Sequence, residues 1–134
     1  MVLLWQSITV KLQPDQLPSQ NMVTRYDSEF LEINAQRYKN SILLMPDGPV
    51  LPWLVSSWKN LNRSHFTQIA NQKPELVIFG SGSKIRFLDP SLLQDLIQLR
   101  IGFETMDTPA ACRTYNILMG EGRLVLGAFL MEQN

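Results

Sequence analysis

Strand-like and helix-like patterns alternate along this chain after a polar beginning. Residues 24–33 and 41–45 mix β-branched, aromatic and aliphatic side chains, as half-buried strands do, and Met45-Pro46-Asp47-Gly48 supplies turn chemistry before Val50. The first third therefore reads as mainly β. Residues 53–61 show no decisive period. Ser64 then offers an N-cap for a short helix through about Gln72, with Phe66, Ile69 and Ala70 on one face and Pro74 stopping it.

The second half is more regular. Leu76-Val77-Ile78-Phe79, closed by Gly80-Ser81-Gly82, fits a strand buried on both faces. Asp89-Pro90 is a cap followed by proline, and Leu92, Leu93, Leu96, Ile97 and Leu99 form a helical stripe expected to pack on a sheet until Gly102 ends it. Residues 103–106 read as a brief strand. Thr108-Pro109 repeats the cap-then-proline start for a helix running to about Met119 and stopped at Gly120, and the continuous apolar run over residues 124–130 predicts a central strand. Strand, helix, strand, helix, strand with short connections argues for parallel pairing and right-handed crossovers, hence an α/β unit that the N-terminal β segments extend or flank.

Composition narrows the class. With 134 residues, 45% hydrophobic and 18% charged, the chain suffices for one domain with a sizeable core. It divides into a loose arm over residues 1–23, containing Pro14 and Pro18, and a single domain over residues 24–134. Twelve basic residues balance twelve acidic ones, which removes the electrostatic footprint that nucleic-acid or anionic-membrane binding usually needs. No nucleic-acid partner is expected. Neither a secretory signal nor a transit-peptide pattern opens the chain, and no uninterrupted apolar run reaches the roughly 18 residues of a membrane span, so a cytoplasmic location is expected. One cysteine, Cys112, and one histidine, His65, leave neither a disulfide nor a Cys/His zinc site, and no metal or cofactor is expected.

Three groups of residues invite chemistry. Gly80-Ser81-Gly82-Ser83-Lys84 leaves a buried strand at its C-terminal end and offers backbone N–H groups to an anion. No helix follows directly, so a structural turn is the favoured reading, with Lys84 and Arg86 on one solvated face of an extended segment. Cys112 lies in the first turn of the last helix, where the dipole favours a thiolate, with Arg113 beside it. Packing as a small hydrophobe with Tyr115 and Met119 is the favoured alternative. Arg113, Asn116, Glu121 and Arg123 make the densest polar cluster, with Asp107 and Thr108 at the opposite helix end, near the strand ends where α/β sheets bind ligands. Thr108 reads first as an N-cap, and the two arginines as ion-pair partners of Glu121 or Asp107 or as a partner-binding surface. His65 reads as a helix-surface residue, and Trp5, Trp53 and Trp58 as core or loop packing.

The run from Met106 to Leu118, Met-Asp-Thr-Pro-Ala-Ala-Cys-Arg-Thr-Tyr-Asn-Ile-Leu, followed by Glu121-Gly122-Arg123, resembles the uncharacterised Mth-domain family. Gly80-Ser81-Gly82, where the family has Gly-Thr-Gly or a close variant, and Arg37-Tyr38 support the match, which covers residues 26–130. The family includes a mitochondrial complex I assembly factor and an adipogenesis-associated protein. The resemblance implies a three-layer α/β domain with a central mixed, mostly parallel sheet and flanking helices. It implies no catalytic residues and no cofactor, and it carries over Gly80, Gly82, Asp107, Thr108, Cys112, Arg113, Thr114, Tyr115, Asn116, Glu121 and Arg123 as site candidates. The expected function is a non-enzymatic protein-interaction or assembly module that meets an unidentified protein partner. The alternative is a small-molecule or anion-binding protein, conceivably an enzyme, with its site at the strand ends.

Overall fold

The computed structural model describes residues 20–132. Strands β1 (Val23–Tyr26), β2 (Leu31–Ile33) and β3 (Gln36–Tyr38) form an antiparallel meander. Five more, β4 (Ile42–Leu44), β5 (Leu51–Pro52), β6 (Leu76–Gly80), β7 (Gly102–Met106) and β8 (Val125–Phe129), make a mixed sheet in the order β5-β4-β8-β6-β7. Its two halves differ in sense, since β6 runs parallel to both neighbours while β4 is antiparallel to both of its own. The apolar run expected as a central strand is β8, in the middle of the sheet.

Alternation along the strands divides the core into two layers. Ile42, Leu44, Ile78, Val125 and Phe129 face the meander and α3 (Thr108–Gly120). Leu43, Val77, Phe79, Leu126 and Ala128 face the opposite layer, which holds Trp53, α1 (Arg63–Asn71) and α2 (Gln94–Gln98). Trp53 is fully buried there, its ring meeting Phe66 and Phe79 edge-on at 5.8 and 6.0 Å and its Nε1–H donating to the His65 carbonyl. The result is the three-layer mixed α/β domain that the resemblance implies, but the sheet is not mostly parallel as expected: two of its four ladders are parallel, because β4 and β5 join it as an antiparallel hairpin beside β8.

Several boundaries differ from the sequence reading, each for a local reason. Residues 24–33 are two strands, because Asp27 Oδ1 accepts from the N–H groups of Glu29 and Phe30 and turns the chain. Asn34 and Ala35, at φ of 50° and 74°, then add β3, which the pattern did not announce. Asn62 rather than Ser64 caps α1: its side chain accepts from Ser64 N–H, while His65 Nδ1 accepts from Asn62 N–H, a complete capping box. His65 is thus a capping residue, and its Nε2 reaches the Leu54 carbonyl.

The leucine stripe is only partly buried. Leu92 and Leu93 lie in a 3₁₀ turn over Pro90–Leu93, Leu96 is buried, and Ile97 and Leu99 stay 61% and 57% exposed, because α2 ends after five residues and the chain reverses at Arg100 (φ 58°). Gly102, expected to end that helix, instead begins β7. Likewise Asp107 rather than Thr108 caps α3, Gly120 is still helical, and Gly122 (φ 81°) supplies the left-handed turn after it. Residues 1–19, most of the expected arm, lie outside the described residues; Asn21 is already built into the domain, donating from Nδ2 to the carbonyls of Met45 and Gly48. No helix among the described residues is long and apolar enough to cross a membrane.

Gly127 is the tightest point of the central strand: a Cβ there would lie 2.4 Å from Phe129 Cζ and 3.2 Å from Tyr115 Cδ1. Gly127→Ala should therefore lower stability by about 1–3 kcal/mol through overpacking, measured as a fall in the urea midpoint without a change in slope.

Candidate functional site

The turn after β6 and the start of α3 are locked into each other. A Cβ on Gly80 would lie 3.0 to 3.2 Å from Thr108 and Ala111, so the absent side chain lets the helix rest directly on the strand end. Thr108 N–H donates to the Gly82 carbonyl at 2.8 Å, and Gly82 N–H returns to Thr108 Oγ1 at 2.9 Å. Ala110 N–H donates to Asp107 Oδ1 and Ala111 N–H to the Asp107 carbonyl, while Pro109 has no N–H to offer. The opening turn of the helix has thus spent its donors within the domain. Ser81 N–H is likewise held by the Met106 carbonyl, and Ser81 Oγ donates to Lys84 and accepts from Arg86 N–H. Within the glycine turn the N–H groups of Ser81 and Gly82 are therefore engaged inside the domain.

Arg86, expected on a solvated face, is instead part of this lock. Its guanidinium donates to the Ser81 carbonyl and to Glu132, and lies 4.6 Å above the Trp58 ring. Glu132 also accepts from Trp58 N–H. The chain leaving β8 is thereby tied to the turn leaving β6.

The polar cluster on α3 disperses into structural duties. Asn116 Oδ1 accepts from Val23 N–H at 2.9 Å while its Nδ2 donates to the Val23 carbonyl at 2.8 Å, gripping β1 as another strand would. Tyr115 is buried and donates to the Asn21 carbonyl, and Arg113 donates to Tyr26 Oη. Three neighbouring residues of one helix thus hold three points of β1 and its entry. Arg123 pairs with Glu75, at 2.6 Å, rather than with Glu121 or Asp107, because the turn at Gly122 carries it toward the start of β6. That hydrogen bond holds the Glu75 carboxyl below the usual carboxylate range. Arg113, Glu121 and Arg123 are exposed, and Thr114 and Asn116 are half-buried.

Cys112 is wholly buried among Tyr115, Met119 and the sheet, one position deeper into the helix than expected because Thr108 is already helical. Burial pushes its thiol up to about 12, with the Arg113 charge pulling only weakly the other way. That desolvation disfavours a thiolate, and Cys112 sits in the core as a small hydrophobic side chain.

What remains open is a groove of about 450 Å³ at the carboxyl ends of β6 and β8. Gly82, Ser83, Thr108 and Pro109 form one side, the segment from Leu130 to Glu132 another, and the Tyr26-Asp27-Ser28 turn the third. Of the candidate residues only Gly82 and Thr108 line it. Pattern reading missed the Tyr26 turn and Glu132 because their place depends on contacts between segments far apart in sequence. No group of three or more metal-ligating side chains occurs among the described residues.

Fold and site together define a three-layer α/β domain whose motif residues brace its own layers around a groove at the strand ends. The family model described as "Protein of unknown function (DUF498/DUF598)" matches residues 23–130, and the chain belongs to that family. The mouse (Mus musculus) protein named NADH dehydrogenase [ubiquinone] 1 alpha subcomplex assembly factor 3 is 33% identical over 130 residues, covering 96% of this chain and 69% of that protein. A crystal structure from Bordetella parapertussis superposes with a TM-score of 0.80 at 38% identity, covering 85% of this chain and 98% of the other. A Bordetella pertussis protein, described as a Mth938-like domain, gives 0.80 at 32% identity, with 93% and 94% covered.

Two outcomes follow from this geometry. Asn116→Ala leaves both polar groups of Val23 without their partner and should cost about 1–3 kcal/mol in urea unfolding, against less than about 1 kcal/mol for Arg113→Ala at its exposed bond. The buried Cys112 thiol keeps its proton to higher pH in the folded chain than in the unfolded one. Its effect on stability is therefore flat below about pH 9 and becomes a progressive loss as pH rises toward about 12. Tyr115, whose hydroxyl burial also pushes up, adds a loss of the same sign starting from a more alkaline pH. The urea midpoint should fall in this range, less steeply for Cys112→Ala, and iodoacetamide at pH 8 should leave the folded wild type unmodified.

Proposed function

We propose that this protein is a non-enzymatic interaction module of the assembly-factor kind, which holds a protein subunit during construction of a larger complex. The observation that carries the reading is the fate of the family motif: Asp107, Thr108, Tyr115, Asn116 and Arg123 are spent bracing the domain, and the surface left open beside them is a groove. Such a motif serves a rigid platform better than a reaction centre. Support also comes from the assembly-factor name of the mouse relative, whose match spans nearly the whole of this chain. The partner class by analogy is a subunit of an NADH dehydrogenase, and the cytoplasmic location expected from the sequence belongs to the same proposal. A small-molecule site is the second reading, favoured by a groove volume within the usual ligand range of about 300–1,000 Å³.

Quantitative co-purification from the source cells tests the first reading. The folded wild-type chain should enrich subunits of a multisubunit NADH dehydrogenase over a matched control protein. Recovery of nothing beyond that control would overturn it and leave a metabolite screen of the groove as the next step.

A further inference from the structure

We infer that the groove at the carboxyl ends of β6 and β8 receives a short partner segment carrying one lysine or arginine between apolar residues, with the cationic head at Asp27. This deepens the assembly reading and rests on it.

The chemistry of the lining selects the occupant. Anions are disfavoured, because the N–H groups at the start of α3 are spent on Gly82 and Asp107, and no lysine or arginine lines the groove. The two nearby guanidinium groups are tied into the walls, Arg86 to Ser81 and Glu132, Arg113 to Tyr26 Oη.

The lining charges are both carboxylates, Asp27 and Glu132, and they differ in how far they are satisfied. Glu132 accepts from Arg86 through one oxygen and from Trp58 N–H through the other. Asp27 spends only Oδ1, on the N–H groups of Glu29 and Phe30, so its Oδ2 has no partner among the described residues. The hydroxyl residues Ser28 and Ser83 line the same space and are exposed.

The rest of the lining is Gly82 and Thr108, bonded to each other, and four residues with largely apolar side chains. Leu130 and Met131 are buried, so the apolar surface open to an occupant is that of half-buried Pro109 and of Tyr26, which is 37% exposed. Long basic side chains match such a site, since their methylene stems lie along apolar surface while the head reaches a carboxylate. A purely apolar segment would leave Asp27 facing it unpaired, and an acidic one would be repelled.

Location agrees with chemistry. The parallel strands β6 and β8 both end at the groove, and open α/β sheets commonly bind ligands beyond the carboxyl ends of their strands. Its walls are held by Arg86–Glu132 and Arg113–Tyr26, so binding needs little reorganisation.

The test is a nuclear magnetic resonance titration of the whole chain with two acetylated, amidated pentapeptides, Gly-Val-Lys-Leu-Gly and Gly-Val-Glu-Leu-Gly. The lysine peptide should move the amide signals of Gly82, Ser83, Thr108 and Glu132, and the glutamate peptide should leave them in place. Asp27→Asn keeps Oδ1 as the acceptor for its turn and removes the charge, so it should weaken binding about fivefold, the scale of one partly exposed ion pair. Ser83→Trp, at an exposed lining position, should abolish binding by filling the groove.

Equal binding of both peptides, no movement at millimolar peptide, or binding indifferent to Ser83→Trp would overturn the inference. The same variants separate it from the assembly reading. NADH dehydrogenase subunits recovered equally by wild type and both variants leave that reading standing and move the contact away from the groove. If wild type recovers none, the assembly reading falls, and the titration alone decides what the groove accepts.

Discussion

The structure depends on how closely α3 can approach the sheet. Two glycines set that distance, Gly80 under Thr108 and Ala111, and Gly127 beneath Tyr115 and the Phe129 ring. At this separation Thr108 and Gly82 exchange backbone and side-chain hydrogen bonds, so the end of β6 and the start of α3 become one rigid piece. The same approach buries Cys112 and Tyr115 deeply enough to push both of their titrations upward. A helix standing farther off would leave its first N–H groups to water or to a ligand, and the strand ends would present a different surface.

From that seat α3 organises the meander. The three-stranded and five-stranded sheets share no ladder; beside their direct packing, α3 bridges them, with Asn116 completing the hydrogen bonds of β1 and Tyr115 and Arg113 holding the chain before and after it. This placement decides where Tyr26, Asp27 and Ser28 stand and therefore gives the groove its third wall. Side-chain pairing of this kind is specific in register, because an amide that donates and accepts fits one backbone residue at a time.

A family motif built mainly of bracing residues alters how function is sought. Substituting Asn116 or Tyr115 would disturb the fold before it touched any partner, so loss of activity in such variants reports on stability. The informative positions lie at the groove rim, in residues that carry little of the packing. The proposed partner class comes from the likeness to a named assembly factor, and the proposed occupant of the groove comes from the chemistry of its rim.

Local pattern alone determined much of this protein. The buried run at Leu76 to Phe79, the apolar stretch that becomes β8, the proline-marked starts of the last two helical segments and the alternation that makes an α/β domain all follow from contacts between residues a few positions apart. The motif from Met106 to Arg123 was visible as well, though its role was not. Asn116 meets Val23 across 93 positions, Arg86 meets Glu132 across 46, and Arg123 chooses Glu75 over the nearby Glu121. Which polar group finds which partner at such separations is decided by packing of whole elements, so only the tertiary structure could show that the motif braces the domain. For the same reason only it could bring Asp27, Ser83 and Glu132, from three distant segments, around one groove.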